Sequence, residues 1–167
     1  MKFKQTIYLL LISVFIASCN SPERSMGYTN WSDDGEEYNF FLGTDQAVQV
    51  VKDLDKAWAD RDYEKMREYL SDTATFYWPN GVIHKGPDEF ISAISSKETP
   101  DNSWTLNGAF SIDLDPSRGG EHVHAAISGN IPDSLGVKKD YHEKYYVVDG
   151  KVVWWHQWTM DVLPTED

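Results

Sequence analysis

The sequence contains a single cysteine, Cys19, so no disulfide can form within the chain. Positive charge is also scarce. Fifteen Lys and Arg stand against 27 Asp and Glu, for a formal net charge of −12. Such a chain is repelled by phosphate backbones and by anionic headgroups, so nucleic acid is not an expected partner. The apolar run Tyr8 to Ile16 is too short to span a bilayer as a helix. There is no H-E-x-x-H and no cysteine spacing that would hold a metal, so neither a metal nor a cofactor is expected. Internal repeats and low-complexity tracts are absent as well.

Aromatic residues are abundant. They make up 14% of the chain and include seven tryptophans, enough for a core with rings left over to line a cavity. They are densest in YHEKYYVVDGKVVWWHQWTMD, residues 141–161, which reads as a β-hairpin. Asp149-Gly150 supplies the two positive φ angles of a type I′ turn. A two-residue turn fixes the register and sets Val148 opposite Lys151, Tyr146 opposite Val153, Lys144 opposite Trp155 and His142 opposite Gln157. Those residues share one face. Tyr145 with Trp154, Glu143 with His156 and Tyr141 with Trp158 share the other. Because both faces carry large rings, one should cover the domain's own core or cavity. The other is expected to meet helices, another sheet or a second copy, and a homodimer joined through this outer face is the partner expected.

The N-terminus reads as a targeting segment. Lys2 and Lys4 precede the apolar run, and Ile16-Ala17-Ser18-Cys19 follows it. This resembles the lipobox of bacterial lipoproteins. The resemblance implies a signal peptide over 1–18, lipid on Cys19 and anchoring in the bacterial cell envelope, with the membrane as a partner. Loss of Lys2 and Lys4 would take the formal charge from −12 to −14. Residues 19–43 are rich in Ser, Asn, Asp, Glu and Gly and read as a mostly disordered tether, although Phe40 and Phe41 could dock on the domain. One domain over 44–161 and a short tail over 162–167 complete the expected layout.

Within the domain, Ala47, Val50, Val51, Leu54, Ala57 and Trp58 recur at helical spacing after a capping Thr44 or Asp45. A shorter helix is expected from Asp62 to Leu70, and a third after Gly86-Pro87. A short strand over 73–78 lies between the last two. Four long antiparallel strands follow. This order, with LSDTATFYWPNGVIHKGPDEF and VVDGKVVWWHQW in their places, resembles the nuclear transport factor two-like superfamily, in its SnoaL-like and ketosteroid-isomerase-like branch. The resemblance implies an α+β fold in which a strongly curved antiparallel sheet wraps about three helices and leaves a conical pocket. It also shows departures. The position of the isomerase's catalytic aspartate is Trp78, before Pro79. His142 falls at the oxyanion-stabilising aspartate, and Asp53 falls near the first-helix tyrosine. Steroid isomerisation by that mechanism is therefore not expected.

His142 is the candidate catalytic residue, since an imidazole in an apolar pocket can donate or accept a proton near neutrality. Glu143 and His156 form a cross-strand pair that would inherit the role if the register were shifted by one. His122 and His124 make an H-x-H pair whose simpler reading is structural. Trp58, Trp78, Phe90, Tyr146, Trp155 and Gln157 are the candidate ligand-binding residues, as an aromatic wall with one amide. The expected function is a lipid-anchored envelope protein whose pocket binds a small, mostly apolar molecule. The alternatives are an isomerase-, dehydratase-, cyclase- or hydrolase-type enzyme using His142, and a non-catalytic interaction module.

Overall fold

The computed structural model describes residues 26–29, 36–96, 104–114 and 119–163. The signal segment, Cys19 and the end of the tail lie outside them. Three helices, α1 (Asp45–Ala59), α2 (Tyr63–Glu68) and α3 (Gly86–Ile94), pack inside a curved, unclosed sheet. Its eight strands are β1 (Gly27–Thr29), β2 (Tyr38–Leu42), β3 (Leu70–Tyr77), β4 (Ile83–Lys85), β5 (Trp104–Asp113), β6 (Gly120–Gly129), β7 (Lys138–Val148) and β8 (Lys151–Val162). They lie in the order β1-β2-β5-β6-β7-β8-β3-β4. This is the expected α+β architecture. β3 runs parallel to β8, and this pairing closes the N-terminal half of the fold onto the C-terminal hairpin.

Local chemistry explains the helix ends. Thr44 caps α1, its Oγ1 accepting from the Ala47 N–H at 3.3 Å. Glu121 on β6 ties that cap to the sheet, accepting from the Thr44 hydroxyl at 2.8 Å and from the Ser111 hydroxyl at 2.6 Å. Gly43 sits against this junction. A Cβ there would come within 2.2 Å of Ser111 Oγ, so only glycine fits. Asp62 caps α2 through Lys65 N–H at 3.0 Å, and Pro87 opens α3. The apolar stripe of α1, with Val51, Leu54 and Ala57 buried, meets Met66, Leu70, Phe76, Phe90, Val123 and Trp155 in one core.

Two expectations need correction. Residues 27–29 and 38–42 belong to the sheet and not to a tether. β2 pairs with β5 through Phe41 opposite Asp113 and Leu42 opposite Ile112, and β1 pairs with β2. The pattern was hard to see because these strands sit at a sheet edge and are short, with few buried positions.

The second correction concerns the hairpin. The turn forms as expected, with φ 49° at Asp149 and 75° at Gly150, and Val148 faces Lys151. Val147 faces Val152, but Tyr146 then faces Trp154, so Val153 is an extra residue in β8. Beyond this bulge every expected pair shifts by one. Tyr145 faces Trp155, Glu143 faces Gln157 and His142 faces Trp158. The cause is packing. Val152 and Trp155 are both fully buried, yet residues three apart on a regular strand point to opposite faces. The bulge lets both enter the core.

Candidate functional site

A cavity of about 700 Å³ opens between the helices and the concave face of the sheet. Its walls are mainly aromatic and aliphatic. Trp58 and Tyr63 come from the helical side, Trp78 from the end of β3, Ile94 from α3, and Trp104, Ile127 and Tyr141 from the sheet. Trp58 organises this wall. Its ring stands edge-on to Phe90 at 5.3 Å, to Trp104 at 5.7 Å and to Trp155 at 6.2 Å. The loop between β6 and β7 borders the cavity through Ile131, Pro132 and Val137.

Two carboxyl groups, Glu143 and Asp55, face this apolar space from its interior, and a third, Asp133, is exposed on the β6–β7 loop. Glu143 on β7 is only 3% exposed. Gln157 Nε2 donates to its Oε1 at 2.7 Å, and the Tyr145 hydroxyl donates to its Oε2. The Trp155 indole N–H lies buried beside them without a hydrogen bond of normal geometry. Burial pushes the Glu143 carboxyl above the usual carboxylate range, and nearby Asp55 adds to the shift. Asp55 on α1 is also raised by burial, an effect that the Trp104 indole N–H, donating at 2.8 Å, partly offsets. Burial likewise raises the Tyr145 phenol, with Glu143 contributing. The indole nitrogen of Trp78 is buried in the wall with no hydrogen-bond partner. Arg61 and Lys139 stand at the rim, where both are exposed and Lys139 is paired with Asp161 at 2.6 Å.

The expected site residues separate into three groups. Trp58, Trp78 and Gln157 line the cavity. Phe90 and Trp155 lie one layer behind it as fully buried core, and Phe90 stacks on Phe76 at 4.0 Å. His142 and Tyr146 are on the convex face, so the expected placement of His142 inside the pocket is corrected by the bulge. His156 also lies there, which separates it from Glu143. Lys144 shares that face, buried beneath Trp154 with its Nζ 5.5 Å from the ring centroid.

The convex face thus gathers four of the five histidines. His124 Nδ1 and His142 Nε2 lie 3.0 Å apart. His124 stacks on Phe110, and His156 stacks on Trp158 at 4.1 Å. Burial, with Lys144 nearby, lowers His122 to about 3 and His124 to about 4. Among the described residues no group of three or more His, Cys, Asp or Glu could hold a metal ion.

Asp55 was not among the candidates, though its position carried a signal. Val51, Leu54, Asp55 and Trp58 are spaced i, i+3, i+4 and i+7, so the aspartate lies within the apolar stripe of α1.

No family model matches the sequence, and no curated protein matches it. Solved structures do. An NTF2-like protein from Burkholderia xenovorans superposes with a TM-score of 0.52 at 16% identity, over 71% of this chain and 92% of the other. An LEH-like epoxide hydrolase from M. tuberculosis gives 0.54 at 14% identity, over 70% and 84%. An orange carotenoid protein from Anabaena (Nostoc), solved with canthaxanthin, gives 0.56 at 12% identity, over 65% of this chain and 35% of that one. The chain therefore has the NTF2-like fold.

Proposed function

We propose that the concave cavity binds a small, mostly apolar molecule. One observation carries the reading. About 700 Å³ of space is walled by aromatic rings, and a fully buried Glu143 lies at its polar end. Small-molecule sites generally have this form, apolar walls with a few convergent polar groups. The orphan Trp78 indole N–H and the Glu143–Gln157 pair are the groups that would orient the ligand. A carotenoid in a neighbour of this fold supports an apolar occupant. The test is native mass spectrometry of the purified protein, followed by quenching of tryptophan fluorescence with small apolar probes. A retained or added molecule whose binding is lost in Trp58→Ala is the expected result. If no probe binds, the pocket reading falls.

A second reading, enzymatic proton transfer, is favoured by the raised Glu143 carboxyl beside Asp55. A carboxyl raised by burial holds its proton to higher pH than an ordinary one and can donate it, and a neighbouring carboxylate can accept one. The hydrolase of the same fold supports this reading. In it, Glu143 takes the role first expected of His142. Glu143→Gln should then keep ligand binding while abolishing turnover. Equal turnover in that variant would remove the enzymatic reading.

We also propose that the chain is lipidated on Cys19, held in the bacterial cell envelope, and paired with a second copy through the convex face. The sequence around Ile16–Cys19 supports the first point, and exposed Phe110 and Trp158 support the last. Cys19→Ala should leave the signal uncut or release the protein from membranes, as read by fractionation. Unchanged fractionation and processing would refute lipidation.

A further inference from the structure

Among the described residues, no cation is seen against either interior cavity carboxyl, Glu143 or Asp55. Glu143 is held by neutral donors, and the only charge that acts on it is a like one, Asp55. Asp55 is held by the neutral Trp104 indole. The cations of the cavity, Arg61 and Lys139, stand at its exposed rim. Buried charges are normally paired, so an interior with two acids and no base is costly once either ionises. Three tryptophans and two tyrosines surround the same space, Trp58, Trp78, Trp104, Tyr63 and Tyr141. Aromatic rings around acidic groups form a setting that attracts organic cations electrostatically. The net charge of −12 adds a long-range field of the same sign. An anionic ligand would oppose ionisation of either carboxyl. A neutral one would offer neither of them a counter-charge.

We infer that the ligand of this cavity is an organic cation, an amine or quaternary ammonium on an apolar body, with its charge placed between Asp55 and Glu143 and its body against Trp58 and Trp104. This rests on the pocket reading above and names the chemical class of its occupant. Binding such a cation favours the ionised carboxyls of Asp55 on α1 and Glu143 on β7, so its affinity weakens as falling pH protonates them. The other titratable groups at the cavity are Asp133, Arg61, Lys139, Tyr63 and Tyr141, and burial raises the Tyr141 and Tyr145 phenols.

The test uses the full protein and three probes of similar shape: benzyltrimethylammonium, its neutral carbon isostere neopentylbenzene, and phenylacetate. Calorimetry at about pH 7 should show the cation binding at least about tenfold tighter than the neutral isostere, and phenylacetate weakest. Repeating the titration at successively lower pH should show the cation's affinity fall while that of the isostere does not. Glu143→Gln and Asp55→Asn should each erase the preference for the cation over the isostere, with a native circular dichroism spectrum showing that the variants are folded. If the isostere binds as tightly as the cation, or either folded variant keeps the preference, the inference is overturned and the pocket reading stands. If none of the three probes binds the native protein, both fail.

Discussion

The two faces of strands β6 to β8 are made from alternate residues of the same segments, yet they carry opposite chemistry. The concave face holds Val123, Ala125, Glu143, Tyr145, Trp155 and Gln157, all buried. Its titratable groups are acids, pushed toward neutrality by burial. The convex face holds His122, His124, His142, Lys144 and His156, set among Phe110, Tyr146, Trp154 and Trp158. Its groups are bases, and burial lowers His122, His124 and Lys144 from their ordinary values. Desolvation acts alike on both sides and disfavours whichever form is charged. The faces differ in what covers them. The helices complete the concave side, whereas Phe110 at 55% and Trp158 at 45% remain exposed on the convex side. The contrast suggests a ligand site inside and an assembly surface outside.

The most disruptive way to break this contrast is to delete Val153. Without the bulge residue, β8 must alternate regularly, and either Val152 or Trp155 is forced out of the core. The loss should be at least about 3–5 kcal/mol, the scale of removing a buried large side chain. Urea denaturation would measure it. Stability within about 1 kcal/mol of the native protein would show that the bulge is not required.

Next is a pair of equal substitutions three residues apart. Trp155→Ala should cost about 3–5 kcal/mol, because Trp155 is 2% exposed and touches Trp58, Trp78 and Phe90. Trp158→Ala should stay within about 0.5 kcal/mol for the monomer and instead weaken self-association, seen by sedimentation at several concentrations. If Trp158→Ala costs as much as Trp155→Ala, the convex face is part of the fold's own core.

The smallest effect is in the pH dependence, where the two faces should act with opposite sign. His122 and His124 have folded values near 3 and 4, below the ordinary imidazole value of 6.5. Across that window the unfolded chain binds more protons, so these residues make stability fall as pH drops below about 6.5. Glu143 and Asp55 are raised, so above the ordinary carboxylate range the folded protein holds more protons. They make stability fall as pH rises from there through their folded values. Replacing His122 and His124 by Gln should flatten the acid side of a stability–pH profile, and Glu143→Gln should flatten the other. A profile unchanged in both would mean that neither face is held neutral in the folded state.

Much of this was legible in the chain. The capped α1, the Pro87 start of α3, the Asp149-Gly150 turn and the order of the long strands follow from local rules of spacing, capping and φ preference. Trp155 and Gln157 were also placed on the inner side correctly. The partners on β7 were not, and His142 was exchanged for Glu143 as the polar group of the cavity.

The sequence by itself determined the long strands β5 to β8, the turn that joins the last two, and that alternate residues must separate onto two faces. Only the tertiary structure decided which face is inside. That choice depends on a single extra residue, Val153, and no local preference marks it. It is set by the core formed with Leu70, Phe76 and Phe90, which takes in both Val152 and Trp155 although they are three residues apart. A strand's period is local, but its parity relative to a neighbour is fixed by packing against parts of the chain far away in sequence.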